Sequence, residues 1–283
     1  INTISTPLTN DLTHASKWAS DKNLVLAPEK SCVVLFTPDS HQSKTHPQVF
    51  LDGKLIPLNK NPKILGVTFD TFLNFSYHVK EIAIRLANRL QILKALAGTS
   101  WGQQKETLLI TFKCLILSII NYAAPIWFPN ASKTSIAILQ VIQNAALRVV
   151  TGNLKMSNID HLHSETKVLR VGPHLEMLCS QFLANALQDL HISHQVVTQP
   201  QGPRKMKETL YSRNINFVAK YLSEGVIPPA KYKEVIKSIH CAAVAKAVCD
   251  ASLNEVLEAW PPTEIDPLEA TLPRITRVTL TQL

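Results

Sequence analysis

The sequence predicts an α+β chain, a small antiparallel sheet near the start followed by helices. Three observations carry this. Short β-branched runs bounded by turn residues are confined to about the first 70 residues. Beyond Asp70 the apolar residues recur at spacings of three and four, the mark of one helix face. Only eight glycines occur in 283 residues, well below the usual ~7 %, as expected of long helices joined by few tight turns.

Residues 11–23 read as a helix with Leu12, Ala15 and Ala19 inside and Trp18 beside them. Residues 31–37 form a short apolar run, hence a strand, and the polar stretch 37–47 with two prolines is a loop. Asp52-Gly53 between the apolar runs 48–51 and 54–58 marks a hairpin with a type I′ turn. Residues 62–69 read as another strand, in which Gly66 implies a bulge or a close backbone approach.

In 78–97, Val79, Ile82, Leu86, Leu90, Leu93 and Ala97 fall on one helix face, with Arg85 and Arg89 one turn apart at its edge and Gly98 as the stop. Residues 103–120 are apolar nearly all round and read as the central helix of a bundle. The window 108–128 is long enough to span a bilayer, but it contains Lys113, which costs roughly 2.5–3.5 kcal/mol at bilayer depth, and Asn121 and Pro125 interrupt it. A buried core helix is the better reading, and no membrane partner is expected. Ser132 caps a helix with Ile138, Leu139, Ile142, Ala146 and Val149/Val150 inward, ended by Gly152. Helices follow over 158–170 and 174–192. A linker is expected over 195–204, then helices near 205–223, 229–240 and 241–258, stopped by Trp260-Pro261-Pro262. The expected organisation is 1–77, 78–195 and 196–283.

High apolar content (46 %) and low charge (18 %) exclude a disordered chain. Five scattered cysteines (Cys32, Cys114, Cys179, Cys241, Cys249) fit a reducing, intracellular compartment rather than a disulfide scaffold. The chain opens Ile1-Asn2-Thr3 without a charged-then-apolar leader and reads as an excerpt of a longer frame. Net charge is +8, and residues 78–154 hold most of it, with eight basic residues against two acidic ones. A basic helical stretch is the footprint of a polyanion, or else a solvated face.

Chemistry-bearing motifs are few. Two-metal sites need closely placed carboxylates, and no Asp-Asp pair occurs; nor does a glycine-rich phosphate loop, a GxSxG elbow or HExxH. His161, His163, His174, His191 and His194 fall within 34 residues, but no acid or thiol pair completes a tetrahedral set at usual spacings. Ordinary surface histidines are the better reading. Asn130-Ala131-Ser132 is a glycosylation sequon, better explained through Ser132 as a helix cap.

Several strings, taken in order, resemble non-LTR (jockey-like LINE) retrotransposon reverse transcriptases. Trp18, then residues 23–31 ending in Pro28-Glu29-Lys30-Ser31, then Val34-Leu35-Phe36, resemble the last palm motif. Residues 62–70, then Phe75 and His78, are similar to the primer-grip hairpin that follows it. Tyr122, Trp127, Pro129, then Leu139-Gln140, Gln143-Asn144, Leu147-Arg148 and Thr151-Gly152, are similar to the helical thumb. His161-Leu162-His163 and Glu165 also recur downstream in such elements. The resemblance covers about residues 8–195.

The resemblance implies that the chain is a C-terminal piece of an RNA-directed DNA polymerase, with a palm edge, a primer grip, a thumb and a helical region of unknown role. Two Mg²⁺ would sit on an aromatic-Ala-Asp-Asp turn upstream of Ile1, and this piece would bind no metal itself. Lys30 would lie near the incoming nucleotide's phosphates and assist pyrophosphate departure as an acid; the alternative is a surface lysine before a strand. Leu65, Gly66 and Val67 would form the primer grip, or else only a tight sheet bend. Arg85, Arg89, Lys94, Lys105 and Arg148 would hold the RNA–DNA template–primer duplex through its phosphates, some of them being merely solvated. The implied partners are that duplex and the upstream palm and fingers of the same polypeptide; the implied location is nuclear and cytoplasmic. The alternative is a non-catalytic helical nucleic-acid-binding or scaffold protein derived from such an element. A helical interaction domain without nucleic acid is a third reading.

Overall fold

The computed structural model describes residues 2–98, 102–188 and 233–243. The chain divides into two compact units, Ile1–His78 and Val79–Leu283, and each is described by itself. The α+β class holds: two small antiparallel sheets are followed by helices.

In the first unit, α1 (Asn2–Asp21) packs on β1 (Phe50–Leu51). It starts nine residues before the periodicity predicts, because residues 2–10 carry no apolar repeat and include Pro7. Ala19 is buried, but Ala15 and Trp18 face out. Strands β1 and β2 (Lys54–Leu55) pair Phe50 with Leu55 and Leu51 with Lys54. Asp52 (φ 49°) and Gly53 (φ 75°) form the turn, the two positive φ values of the expected type I′ hairpin. Val33, Val49, Leu51 and Ile56 form the core, with Leu12, Leu26 and Leu58 against it.

Two expectations are corrected. Residues 31–37 are not a regular strand; a single parallel bridge joins Val33 to Leu58, through Val33 N–H to the Pro57 carbonyl and Asn59 N–H to the Val33 carbonyl, both 2.9 Å. Residues 62–69 are not one strand with a bulge but a second hairpin, β3 (Lys63–Ile64) against β4 (Val67–Thr68). Its turn is Leu65-Gly66, at φ 46° and 83°; Gly66 turns the chain, and the apolar Leu65 hid the turn from the pattern.

The approach to α2 (Ser76–Leu96) is fixed by Asp70. Its carboxylate accepts the N–H groups of Phe72, Asn74 and Phe75 at 3.1, 3.1 and 2.7 Å. Phe75 is buried and meets Phe69 edge to face, 5.5 Å between ring centres. The buried His78 takes the Thr68 N–H on Nδ1 at 3.3 Å, which ties the first turn of α2 to β4.

In the second unit α2 buries Val79, Ile82, Leu86, Leu93 and Ala97 as predicted, while Leu90 is half-buried. The expected central helix is α3 (Lys105–Phe112), a π turn (Lys113–Leu117) and α4 (Ser118–Asn121) in succession. It is one-sided: Leu108, Phe112, Ile116 and Ile120 are fully buried while Ile110 and Cys114 are exposed. Steps of four overshoot a 3.6-residue turn by about 40° each, and the wider π turn takes part of that back.

Ala123 (φ 51°) breaks the chain before α5 (Ala124–Trp127), where buried Trp127 donates from Nε1 to the Tyr122 carbonyl at 3.0 Å. Ser132 caps α6 (Lys133–Thr151) by accepting the Ser135 N–H at 3.1 Å, and Gly152 (φ 78°) ends it, both as expected. The inner face differs. Ile138 is exposed and Ile142 half-buried, whereas Gln143, Asn144, Leu147 and Thr151 are buried.

Next come α7 (Ile159–Thr166), closed by Lys167 at φ 52°, and α8 (Val171–Gln188). They divide four and three residues away from the predicted break, because the periodicity runs through the short turn. Residues 233–243 form α9, held to α8 by Gln181 Nε2 donating to the Lys233 carbonyl at 2.8 Å. Segments Lys105–Asn130 and Lys133–Thr151 are long and apolar enough to cross a membrane by length and composition; here α3 packs on α6, and α5 and α6 on α8. The expected linker 195–204, the helix 205–223, most of 241–258, the 260–262 stop, His191, His194 and Cys249 lie outside the described residues.

Gly53→Ala is expected to cost about 1 kcal/mol, read as a lower urea midpoint. Nothing lies within 4 Å of the added Cβ, so the cost is the left-handed backbone alone.

Candidate nucleic-acid interface

In the first unit Lys30 ends a one-turn 3₁₀ helix, Pro28–Lys30, and is exposed. Ser31 closes that turn, its N–H to the Pro28 carbonyl (3.1 Å) and its Oγ to the Ala27 carbonyl (2.9 Å). The ammonium therefore extends from a fixed turn. Leu65 and Gly66 form the tip of the β3–β4 hairpin, whereas Val67 turns inward. Leu65 is 87 % exposed and Val67 only 2 %. A leucine held left-handed costs about 1–2 kcal/mol, and this one recovers little of that by burial.

In the second unit the five basic candidates part company. Arg85, Arg89 and Lys94 are exposed on α2, and among the described residues no ion pair engages them. At 100° per residue, Arg85 and Arg89 lie about 40° apart on one rim of the buried stripe, with Lys94 about 140° beyond Arg89 on the other. Lys105 is otherwise engaged. Its Nζ lies 2.6 Å from Glu165 Oε1, with side-chain exposures of 20 % and 4 %, and Asn153 Nδ2 donates to the second Glu165 oxygen at 3.4 Å. Arg148 turns back to the Ser157 carbonyl at 3.4 Å, holding the turn after α6. The exposed α2 cations are thus available to a polyanion, while Lys105 and Arg148 brace the fold.

A polar cluster under α6 went unread in the sequence, although its members stand in the quoted strings. Gln140 Oε1 accepts the Val171 N–H at 2.8 Å, and its Nε2 donates to Gln143 Oε1 (2.9 Å) and Asn144 Oδ1 (2.7 Å). Gln143 Nε2 donates to the Leu169 carbonyl at 3.0 Å. His163 Nδ1 lies 2.7 Å from the Val168 carbonyl, which places the ring hydrogen there, and its Nε2 faces Gln140 Nε2 at 3.3 Å and Asn144 Oδ1 at 3.2 Å. The available signal was amides at i, i+3 and i+4 on an otherwise apolar helix.

Burial first, and then the nearby Arg170 charge, hold His163 below the usual imidazole range against the Val168 carbonyl and Asp160. Burial and Lys237 do the same to His174, whose Nε2 meets Asn121 Oδ1 at 2.9 Å. Burial pushes the Cys179 thiol up to about 12, so it is inert. Among the described residues no three His, Cys, Asp or Glu side chains gather as metal ligands.

With this geometry in view, the class to which the chain is similar is the RNA-directed DNA polymerases of non-LTR retrotransposons. The "Probable RNA-directed DNA polymerase from transposon X-element" of Drosophila melanogaster is 29 % identical over 156 residues, 55 % of this chain and 17 % of that protein. The corresponding transposon BS protein of the same fly is 29 % identical over 146 residues, 50 % and 15 %. The "RNA-directed DNA polymerase from mobile element jockey", also from D. melanogaster, is 22 % identical over 167 residues, 59 % and 18 %. The chain thus matches less than a fifth of the length of these relatives. No family model and no solved structure matches it.

Glu165→Gln leaves the Lys105 ammonium partly buried without its counter-charge and is expected to cost about 3 kcal/mol, measured by urea unfolding.

The histidines set a pH window. Their folded pKa values lie below the unfolded 6.5, so the unfolded chain takes up protons first as the pH falls. Their stabilising contribution is full above about pH 6.5 and is lost as pH drops from there towards the folded values. The urea midpoint is expected to fall between about pH 7.5 and about pH 5, and His163→Gln to fall less steeply.

Proposed function

We propose that this chain is part of a mobile-element RNA-directed DNA polymerase and that its role is to hold the template–primer. The observation that carries the reading is the exposed trio Arg85, Arg89 and Lys94 on α2, in a chain similar to such polymerases. Phosphate contacts from these residues are indifferent to sequence, as a polymerase that copies any template requires. Leu65 and Gly66, at the exposed hairpin tip, serve as the primer grip; the glycine removes side-chain bulk where a primer end approaches, and the leucine offers an apolar surface to it. Lys30 acts on the leaving phosphates as a proton donor.

In an intact polymerase of this kind, Mg²⁺ held by carboxylates of the palm would supply the chemistry, and the palm and fingers of the same polypeptide would be the partners of this chain. The site of action is intracellular, wherever element RNA is copied.

The test is duplex binding against salt. With three phosphate contacts, affinity for an RNA–DNA hybrid should fall with a log–log slope between about −2 and −3. Arg85→Gln with Arg89→Gln should remove about two units of that slope, while the urea midpoint stays put. A flat salt dependence in the parent chain would sink the proposal.

A further inference from the structure

The first half of α1 runs through residues without an apolar repeat, so core packing does not account for it. Ser5, Thr6, Thr9 and Asn10 stand at i, i+1, i+4 and i+5, which at 100° per residue is one face about 140° wide. That face carries hydroxyls and an amide. It forms one wall of a cleft of about 500 Å³, apart from the apolar core of the unit and within the size range of small-ligand sites.

The other wall is the segment that leads into β1. Exposure alternates along it: His46, Gln48 and Phe50 are exposed, whereas Val49 and Leu51 are buried. The three exposed residues therefore share one face, and all three line the cleft. The walls are tied together. Thr9 Oγ1 accepts the Phe50 N–H at 3.4 Å and donates to the Ser5 carbonyl at 2.8 Å. Two turns on, Ser16 Oγ donates to Asp52 Oδ1 at 2.6 Å.

Phe50 leaves 41 % of its surface open. Among the described residues no hydrogen bond or ion pair engages the side chains of Asn10, His46 or Gln48. No Asp, Glu, Lys or Arg lines the cleft. Two amides, an imidazole and an aromatic ring, with no formal carboxylate or ammonium charge, suit a flat ring with donors and acceptors on its rim. Aromatic side chains stack on any base, and an amide offers the paired donor and acceptor that base edges require. Bases within a duplex are already stacked, so only an unpaired one can enter.

We propose that this cleft takes an unpaired nucleobase, stacked on Phe50 and met at its edge by Asn10, His46 and Gln48. The base is carried by a single strand or by a free nucleotide. The proposal rests on the nucleic-acid-handling role above, uses none of the α2 cations, and adds a site in the first unit. With no cation in its lining, the cleft adds affinity without adding salt dependence.

The experiment compares a labelled single-stranded RNA with an abasic strand of the same length, by fluorescence anisotropy on the full chain. The phosphates are the same in both, so the ratio of affinities reads the bases alone. The RNA should bind about tenfold tighter at an equal salt slope. Phe50→Ala should bring the ratio towards one, and Phe50→Tyr should keep it. Asn10→Ala with Gln48→Ala should lower the ratio several-fold. Both amide positions are exposed, and an unchanged urea midpoint shows that this variant has lost contacts and not its fold. Competition with adenosine monophosphate separates the sources: displacement of the RNA supports a site open to free nucleotide, and no displacement supports one that needs the strand.

Equal affinity for the two strands, with hybrid binding intact, would overturn this inference and leave the duplex-holding role standing. So would a ratio that neither Phe50→Ala nor the amide variant changes. Failure to bind strand or hybrid would remove both.

Discussion

The second unit hangs on three amides and an imidazole beneath α6. The main chain between α7 and α8 must turn within a few residues, at Val168 against the core, and the polar groups it turns inward need partners there. Gln140, Gln143 and His163 supply them at Val171, Leu169 and Val168 respectively. Each bond is worth only about 1 kcal/mol net, but leaving a buried group unmet costs about 1–3. The arrangement is therefore closer to all-or-none than additive. It fixes where α8 begins, and α5 and α6 pack on α8. The Lys105–Glu165 pair ties the start of α3 to α7 in the same way.

The basic residues take their roles from their surroundings. Lys105 and Arg148 have oxygens of their own fold within reach, so their charges are spent on holding turns together. The α2 cations have water in front of them. Residue type and local charge density are the same in both cases, which is why a count over 78–154 marks the region but cannot divide it. In the first unit, the strain accepted at Leu65 and the fixed turn before Lys30 place two side chains outward that the packing of that unit does not require.

Much of the fold was legible in the sequence. The Asp52-Gly53 hairpin, the buried stripe of α2, the Ser132 cap and the Gly152 stop were all readable, because each follows from a local backbone requirement or a clean period. The failures share a cause. The β3–β4 turn was missed because Leu65 adopts a conformation usually left to glycine. Residues 31–37 have the composition of a strand, but regular pairing depends on a neighbour that no local pattern specifies. On α6, periodicity points Ile138 inward and leaves Gln143 unmarked, since it scores apolar residues and is blind to an amide buried for its bonds. Of the candidate site, the position of Arg85 and Arg89 at the edge of the α2 stripe was readable from residue order. The engagement of Lys105 by Glu165, 60 residues away, was not.

The π turn between α3 and α4 has a consequence for the helix as an inherited object. A π turn holds one residue more than the α turn it replaces, and here it lies between buried residues on both sides, Phe112 before it and Ile120 after. Such a turn can accommodate one more residue locally, without rotating either flank out of the core. Chain length can therefore vary by one residue at this point among descendants while the packing on α6 is kept, which makes residues 113–117 a natural place for gaps when distant sequences are aligned.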